Sequence, residues 1–233
     1  MRQNTFGQPI GPALADWKTC PFPNTDPMNG TYCRLEKLSP AQHGDQLFSA
    51  FGDDTDGKNW TYLFDGPFAN RAEFDTWLGR ITQSQDPLFF AIVDTTTHQA
   101  IGVASYMRIT PEHGTIEVGN IHFSPRLQKT PLATEAMYLM MRRAFEELGY
   151  RRYEWKCDAL NAPSRSAAER LGFTFEGIFR QAIVYKGRSR DTAWFSMIDS
   201  EWPALKAAFE KWLAAENSDD HGKQKQSLKS FRA

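Results

Sequence analysis

The sequence predicts a mixed α/β fold, a single sheet with helices on both faces. Three observations carry that expectation. Apolar residues recur with helical spacing in some stretches and alternate or run unbroken in others, in the order strand, helices, three strands, helix, strand, helix, two strands, helix. The run ending at Phe123, the helix after it and the strand at Tyr153 read as one parallel crossover, expected to be right-handed. Composition agrees: 41% of the 233 residues are hydrophobic and 24% charged, as in a globular domain with a substantial core.

Tyr32 to Lys37 fits a first strand and Pro40 to Phe51 a short helix. Asn70 can cap a helix running to about Ser84, because Phe74, Trp77, Leu78 and Ile81 fall on one helical face. Leu88 to Val93 is continuously apolar, as in a strand covered on both sides. Ile101 to Ile109 alternates, and Thr110-Pro111-Glu112-His113-Gly114 is a hairpin turn. The fourth strand then changes parity: Ile116 and Val118 share one face, Ile121 and Phe123 the other. Strand side chains alternate with period two, so the change implies an extra residue, a β-bulge at Gly119-Asn120 that frees main-chain groups for a ligand.

The segment Gly119 to Ala136 joins this strand through a cationic turn to an amphipathic helix. Pro131 suits the first helical position, where a missing N–H costs nothing. Ala133, Met137, Met141, Ala144 and Leu148 form the apolar stripe, Glu135 sits in the first turn where negative charge is favoured, and Gly149 can terminate the helix. Free N–H groups and the dipole at such a tip favour an anion, so a phosphate-bearing cofactor is the first hypothesis. Tyr153 to Ala159 alternates as a fifth strand, and a short helix from about Pro163 to Leu171 closes at Gly172. Phe173–Val184 and Arg190–Ile198 can pair across Lys186-Gly187-Arg188. Trp202, Leu205, Phe209, Trp212 and Leu213 make a last amphipathic helix.

Residues 1–30 carry Pro9, Pro12, Pro21, Pro23 and Pro27 and read as an extended arm, laid over the domain by Trp17 and Phe22. The domain proper spans residues 31–215, and the polar residues 216–233 are expected to be a disordered tail. Lys and Arg number 27 against 28 Asp and Glu, so neither a nucleic-acid partner nor a membrane surface is indicated. No stretch approaches the ~20 apolar residues that span a bilayer, and the first residues lack the apolar core of a secretory signal. Cys20, Cys33 and Cys157 are odd in number and widely spaced, which suggests neither a disulfide framework nor a metal site. A cytoplasmic location is expected.

Several phrases resemble the GNAT superfamily of acyl-CoA-dependent N-acetyltransferases, particularly the branch of ribosomal-protein N-terminal acetyltransferases, over about Tyr32 to Leu213. The cofactor-loop pattern Gln/Arg-x-x-Gly-x-Gly/Ala is matched by Gln128-Lys129-Thr130-Pro131-Leu132-Ala133, followed by Thr134-Glu135-Ala136. Asn161-Ala162-Pro163-Ser164, Glu169-Arg170-Leu171-Gly172-Phe173 and Glu176-Gly177 are similar to that family's fifth-strand exit and fourth helix. The resemblance implies a mostly antiparallel sheet splayed between strands four and five, with acetyl-CoA as co-substrate and no metal. It further implies cofactor contacts at Ile121, Phe123, Gln128, Lys129, Thr130, Leu132, Ala133, Thr134, Asn161 and Arg165. One departure stands out: Pro131 and Lys129 occupy usual glycine positions of the loop, and proline removes a donor. Arg126 and Lys129 could offset that loss electrostatically.

Amine acetylation needs a base for the amine proton, a polarised thioester and an acid for the departing thiolate. Glu117 occupies the position of the family's fourth-strand base; the plainer account is an ion-paired strand carboxylate. Ser164 is the candidate acid, or only a helix-capping serine. Ala168 stands where many relatives place a tyrosine, which removes that acid. Asn161 could be a turn residue and Arg165 a solvated one. His122 is read as structural, and Lys186 to Arg190 as a solvated turn or an acceptor-recognition hairpin. Walker A, dinucleotide-binding, nucleophile-elbow and His-Glu-x-x-His patterns are absent from the sequence. The reading is an N-acetyltransferase that moves an acetyl group directly to a protein N-terminus or a small-molecule primary amine, with a homodimer allowed. The alternative is an acyl-CoA-binding module with little or no catalysis, and a third is a structural partner protein using the Pro-rich arm.

Overall fold

A computed structural model describes residues 2–220 and 222–232. An arm hairpin of β1 (Arg2–Gln3) and β2 (Pro9–Ile10) precedes the domain. The elements that follow are β3 (Met28–Asn29), β4 (Cys33–Lys37), α1 (Pro40–Gly52), α2 (Arg71–Thr82), β5 (Leu88–Asp94), β6 (Ala100–Thr110), β7 (Thr115–Phe123), α3 (Pro131–Arg142), β8 (Arg152–Asp158), α4 (Ala162–Leu171), β9 (Thr174–Tyr185), β10 (Arg188–Ile198) and α5 (Trp202–Leu213). The eight strands from β3 onward make one sheet in the order β3-β4-β5-β6-β7-β8-β10-β9. Every neighbouring pair is antiparallel except β7 and β8, the two halves of the crossover.

Helices cover both faces. One core gathers Met137, Met140, Met141, Phe209 and Trp212 from α3 and α5 against Phe90, Tyr106, Tyr153 and Phe195 of the sheet. The second places Leu47 and Phe51 of α1 and Phe74, Trp77 and Leu78 of α2 on Phe89, Ala91 and Val103. The continuous run Leu88–Val93 is apolar because it feeds both cores. His122 joins the second core, stacked on Trp60 at 3.8 Å and edge-on to Phe51 at 4.2 Å. Burial pushes its pKa down to about 3, keeping the ring neutral.

Local signals act where the sequence places them. Asn70 Oδ1 accepts from the amide of Glu73 and Thr130 Oγ1 from that of Ala133, each opening its helix. Gly149 and Gly172 take positive φ at helix ends. After Arg142 the third helix continues for one π-helical turn, Arg143–Glu147. The fourth-strand bulge is present: Val103 pairs with His122 and Ser105 with Gly119, so β7 spends three steps against two on β6. Asn120, in the left-handed region at φ 49°, donates through Nδ2 to Ser105 Oγ, which donates to Gly119 O.

Glu135 does more than complement a helix dipole. Its buried carboxylate accepts the amides of Thr31, Tyr32 and Cys33 at 2.7, 2.6 and 2.7 Å, fastening the entry of β4 to α3 just past the helix's first turn, beyond the place the dipole argument gave it. A Cβ on Gly30 would lie 2.5 Å from that carboxylate, so the position requires glycine.

Two expectations for the ends change. The tail folds: Ala215–Asn217 and Leu228–Phe231 are short 3-10 turns, and Leu228 is buried. Leu228 and Phe231, three apart, supply enough apolar surface to dock a polar segment on the main core. In the arm, Trp17 packs on the core and donates to Glu112 O, whereas Phe22 is exposed, and Cys20 and Tyr150 fix that stretch instead. Among the described residues no helix is long and apolar enough to cross a membrane.

Glu135→Ala should lower stability by about 3 kcal/mol, because three amides lose their charged acceptor in a buried site; thermal unfolding measures it, and an unchanged Tm would refute the role. His122 has a folded pKa below its usual 6.5, so the stability tied to the neutral ring is complete above about pH 6.5 and is lost as pH falls toward 3. Denaturant titrations below pH 6 should lose about 1.4 kcal/mol per pH unit from this group, and His122→Phe should flatten the slope.

Candidate active site

The parallel pairing of β7 and β8 lasts four residue pairs, from Thr115 with Arg152 to Val118 with Trp155. Beyond it β7 continues to Phe123 against β6, and β8 to Asp158 against β10. The strands therefore part at the bulge. A cleft of about 110 Å³ opens there, lined by Glu117, Gly119, Asn120 and Ile121 on one side and Trp155, Lys156, Asn161 and Ser164 on the other.

Glu117 is 3% exposed. Arg108 Nη1 and Lys156 Nζ both bind its Oε2, at 2.7 and 2.9 Å. Oε1 accepts no hydrogen bond from a described residue and lies beside Gly119, where a Cβ would be 3.6 Å away. The ion-paired carboxylate and the lining carboxylate are thus one residue with its two oxygens divided. The ion pairs extend along the sheet: Lys156 reaches Glu154 at 2.6 Å, and Arg152 bridges Glu154 and Glu176 at 2.6 and 2.5 Å. Burial would raise the Glu154 pKa, but hydrogen bonds from Lys156 and Arg152 outweigh it and hold the carboxyl low. Lys156 Nζ also stands 3.7 Å over the Trp194 ring.

Ser164 lies across the gap. Its Oγ accepts from Trp155 Nε1 at 3.0 Å, which leaves the hydroxyl proton to donate. Burial pushes the neighbouring Cys157 thiol up, against a smaller opposing effect of its hydrogen bond with Ser164. Asn161 caps α4 by accepting from Ser164 N at 3.1 Å, and its amide N–H groups remain free to donate. The structure thus brings Glu117, Ile121, Asn161 and Ser164 to one cleft.

The loop residues divide. The amides of Lys129, Thr130 and Leu132 find no acceptor among the described residues, Pro131 has none to give, and that of Ala133 is taken by the Thr130 cap. Lys129 adopts φ 61°, the left-handed conformation for which glycine is better suited. Gln128 folds back and donates to Phe123 O at 2.9 Å. Thr134 is buried, and its Oγ1 accepts from Arg170 Nη2 at 3.0 Å rather than facing the loop. Arg126 is engaged by Asp53 at 2.6 Å, whose carboxyl its hydrogen bond holds low, so Lys129 is left as the loop's free cation among the described residues. Arg165 turns inward, donating to Ala159 O at 3.3 Å and lying over Phe175.

The sequence reading missed a roof over the cleft. The loop between α1 and α2 places Tyr62, Leu63 and Phe64 over it, and Tyr62 Oη donates to Leu160 O at 3.2 Å. Lys186, expected in a solvated turn, instead donates to the carbonyls of Trp60, Asp65 and Gly66 at 2.8, 3.1 and 2.6 Å, while Arg188 donates to Thr61 O at 2.6 Å. Burial lowers the Lys186 pKa. Beneath the roof a cavity of about 20 Å³ is lined by Trp60, Trp77, Asn120 and His122. The concentration of aromatic residues in Trp60-Thr61-Tyr62-Leu63-Phe64 was the available signal.

The acetyltransferase (GNAT) domain matches residues 34–174, more than half of the chain. A GCN5-related N-acetyltransferase from Brucella melitensis is similar in structure with a TM-score of 0.92 and 51% identity, over 94% of this chain and 99% of that one. A probable acetyltransferase (GNAT family) from Chromobacterium violaceum ATCC 12472 gives a TM-score of 0.78 and 42% identity, over 84% and 98%. The uncharacterized N-acetyltransferase YnaD of Bacillus subtilis (strain 168) is 28% identical over 44% of this chain and 59% of its own length. The chain spans about three fifths of the length of the curated relatives it matches. With the parted parallel strands and the helix tip beside them, these likenesses agree: the chain belongs to the GNAT acetyltransferase family.

Proposed function

We propose that the chain transfers an acetyl group from acetyl-CoA directly to a primary amine, a protein N-terminus or a small molecule, within a ternary complex. The observation that carries the reading is the gap between β7 and β8, with the free Oε1 of Glu117 on one side and the Ser164 hydroxyl on the other.

The residues present fit a phosphate-bearing thioester. Lys129, Thr130 and Leu132 offer amides at the positive end of α3, and Lys129 adds a charge. Acetyl-CoA supplies an activated acetyl group and a thiolate leaving group. Asn161 can hold the amide-rich arm through its free N–H groups, and main chain freed at the bulge, around Ile121, can bond the same arm. Glu117 Oε1 accepts the proton of the attacking amine as the new C–N bond forms. Ser164 gives its hydroxyl proton to the sulfur as the C–S bond breaks. Arg108 and Lys156 hold the other Glu117 oxygen and so fix the direction of the free one. The site asks for no covalent enzyme intermediate.

The carrier-binding module without catalysis keeps one observation in its favour, the loss of the Pro131 and Ala133 amides from the cradle. An amine panel monitored by thiol release, beside calorimetric titration of coenzyme A, separates the two: binding without turnover on any amine favours the module.

Glu117→Gln should lower kcat about 100-fold at unchanged coenzyme A affinity, the scale of a lost proton acceptor. Ser164→Ala should lower kcat by about tenfold or more. Steady-state rates with thermal unfolding as a fold control measure both, and full activity in either variant would remove that residue from the mechanism. Lys129→Ala should raise the coenzyme A Kd several-fold and weaken its salt dependence; an unchanged Kd would show that the side chain does not compensate for the loop's missing donor.

A further inference from the structure

Arg190 is the one cation of the basic hairpin that is buried yet makes no hydrogen bond to the roof. It is 6% exposed, lies at the start of β10 and lines the same cleft as Glu117. Its Nε donates to Thr192 Oγ1 at 3.2 Å, and its guanidinium lies 5.6 Å from the Phe64 ring centroid and 5.7 Å from that of Tyr185. Its two terminal nitrogens donate to no described residue, and no described carboxylate comes within ion-pair distance.

The neighbouring acids are committed elsewhere. Asp158 accepts from Tyr185 Oη at 2.7 Å and from Leu160 N at 2.8 Å. Asp191 accepts from Gln181 N at 2.7 Å. Glu117 and Glu154 are taken by Arg108, Lys156 and Arg152. A guanidinium only 6% exposed and outside every ion pair of the described residues is short of partners, and two aromatic rings supply only part of what it lacks. Its planar fork matches a carboxylate bidentately.

Arg190 also stands on the right face. Thr192 pairs with Asp158 and Trp194 with Lys156, paired residues of antiparallel strands share a face, and Arg190 reaches Thr192 Oγ1 across the register shift that separates them, so Arg190, Lys156 and Asp158 lie on one face. Glu117, in register with Glu154, projects to that face too. Trp155 and Cys157, with Ser164 against Trp155, belong to the other. The face bearing Glu117 is therefore the acceptor's side of the gap.

We infer that the acceptor is an amine that also carries a carboxylate, which binds Arg190 while its amino group meets Glu117. The inference rests on the transferase reading and narrows its substrate class. Two sources share that chemistry, a free amino acid and a polypeptide whose first residue is acidic.

Thiol release from acetyl-CoA, with amino acids compared against their own C-terminal amides, and peptides beginning with Asp or Glu against those beginning with Asn or Gln, tests it. The carboxylate form should be used at least tenfold better in kcat/KM within one pair type: the amino-acid pairs if the α-carboxylate is recognised, the peptide pairs if a side-chain carboxylate is. Arg190→Gln should collapse that ratio toward one, mainly through KM, and Arg190→Lys should keep part of it, with coenzyme A titration and thermal unfolding as fold controls. Equal use of acid and amide by the wild-type protein would overturn the inference and leave acetyl transfer standing, as would an Arg190→Gln loss that falls equally on both forms. If no amine releases thiol, the transfer reading fails, and calorimetric titration of the same pairs into the coenzyme A complex decides the carboxylate inference, with equal affinities overturning it.

Discussion

Backbone polar groups must find partners, and the whole site follows from one place where the sheet withholds them. β7 and β8 cannot stay paired once β7 takes an extra residue at Asn120, because every main-chain group beyond it is re-aimed. Ser105 and Asn120 bolt the distortion, so the gap is a built feature of the sheet rather than a frayed end. The parallel crossover then delivers the tip of α3 beside that gap, since the loop leaving β7 is also the entry of the helix. An opening in the sheet and the positive end of a helix arise from the same few residues.

Charge is arranged differently on the two sides of the gap. The Glu117 side carries a run of alternating cations and carboxylates from Arg108 to Glu176, each largely neutralised by its neighbours. Such a run keeps the floor polar without a strong net field. Within it one carboxylate oxygen remains open, and beside it the Arg190 guanidinium stands outside every ion pair of the described residues; these are the groups with something left to give a ligand. The Ser164 side is mainly apolar, with Trp155, Cys157 and the α4 cap. A leaving thiol suits that environment better than a charged amine does.

Local chemistry in the sequence was enough for the elements and their ends. Asn70, Gly149 and Gly172 act through near neighbours along the chain, which is why they could be read from spacing; the Thr130 cap was not read. The bulge was legible for a similar reason: side chains that swap faces partway along one short strand require an inserted residue. Long-range commitments were not legible. Glu135 looked like a dipole partner because its acceptor role depends on residues 31–33, a hundred positions away. Arg126 looked free until α1 brought Asp53 to it, and Lys186 looked solvated until the loop at Trp60–Gly66 folded over it. The tail looked disordered because its mean polarity hides two well-spaced apolar residues. Glu117 and Ser164 were proposed from family resemblance, and the structure adds what resemblance does not carry, namely which oxygen of Glu117 is open.

The buried carboxylate of Glu135 bears on more than stability. It seizes the chain near residue 30 from just behind the first turn of α3, while that turn presents its amides to solvent. A helix tip gripped on its inner side has little freedom to tilt or fray. An incoming anion would find those donors already aimed, and the entropy of arranging them is spent during folding rather than at each encounter.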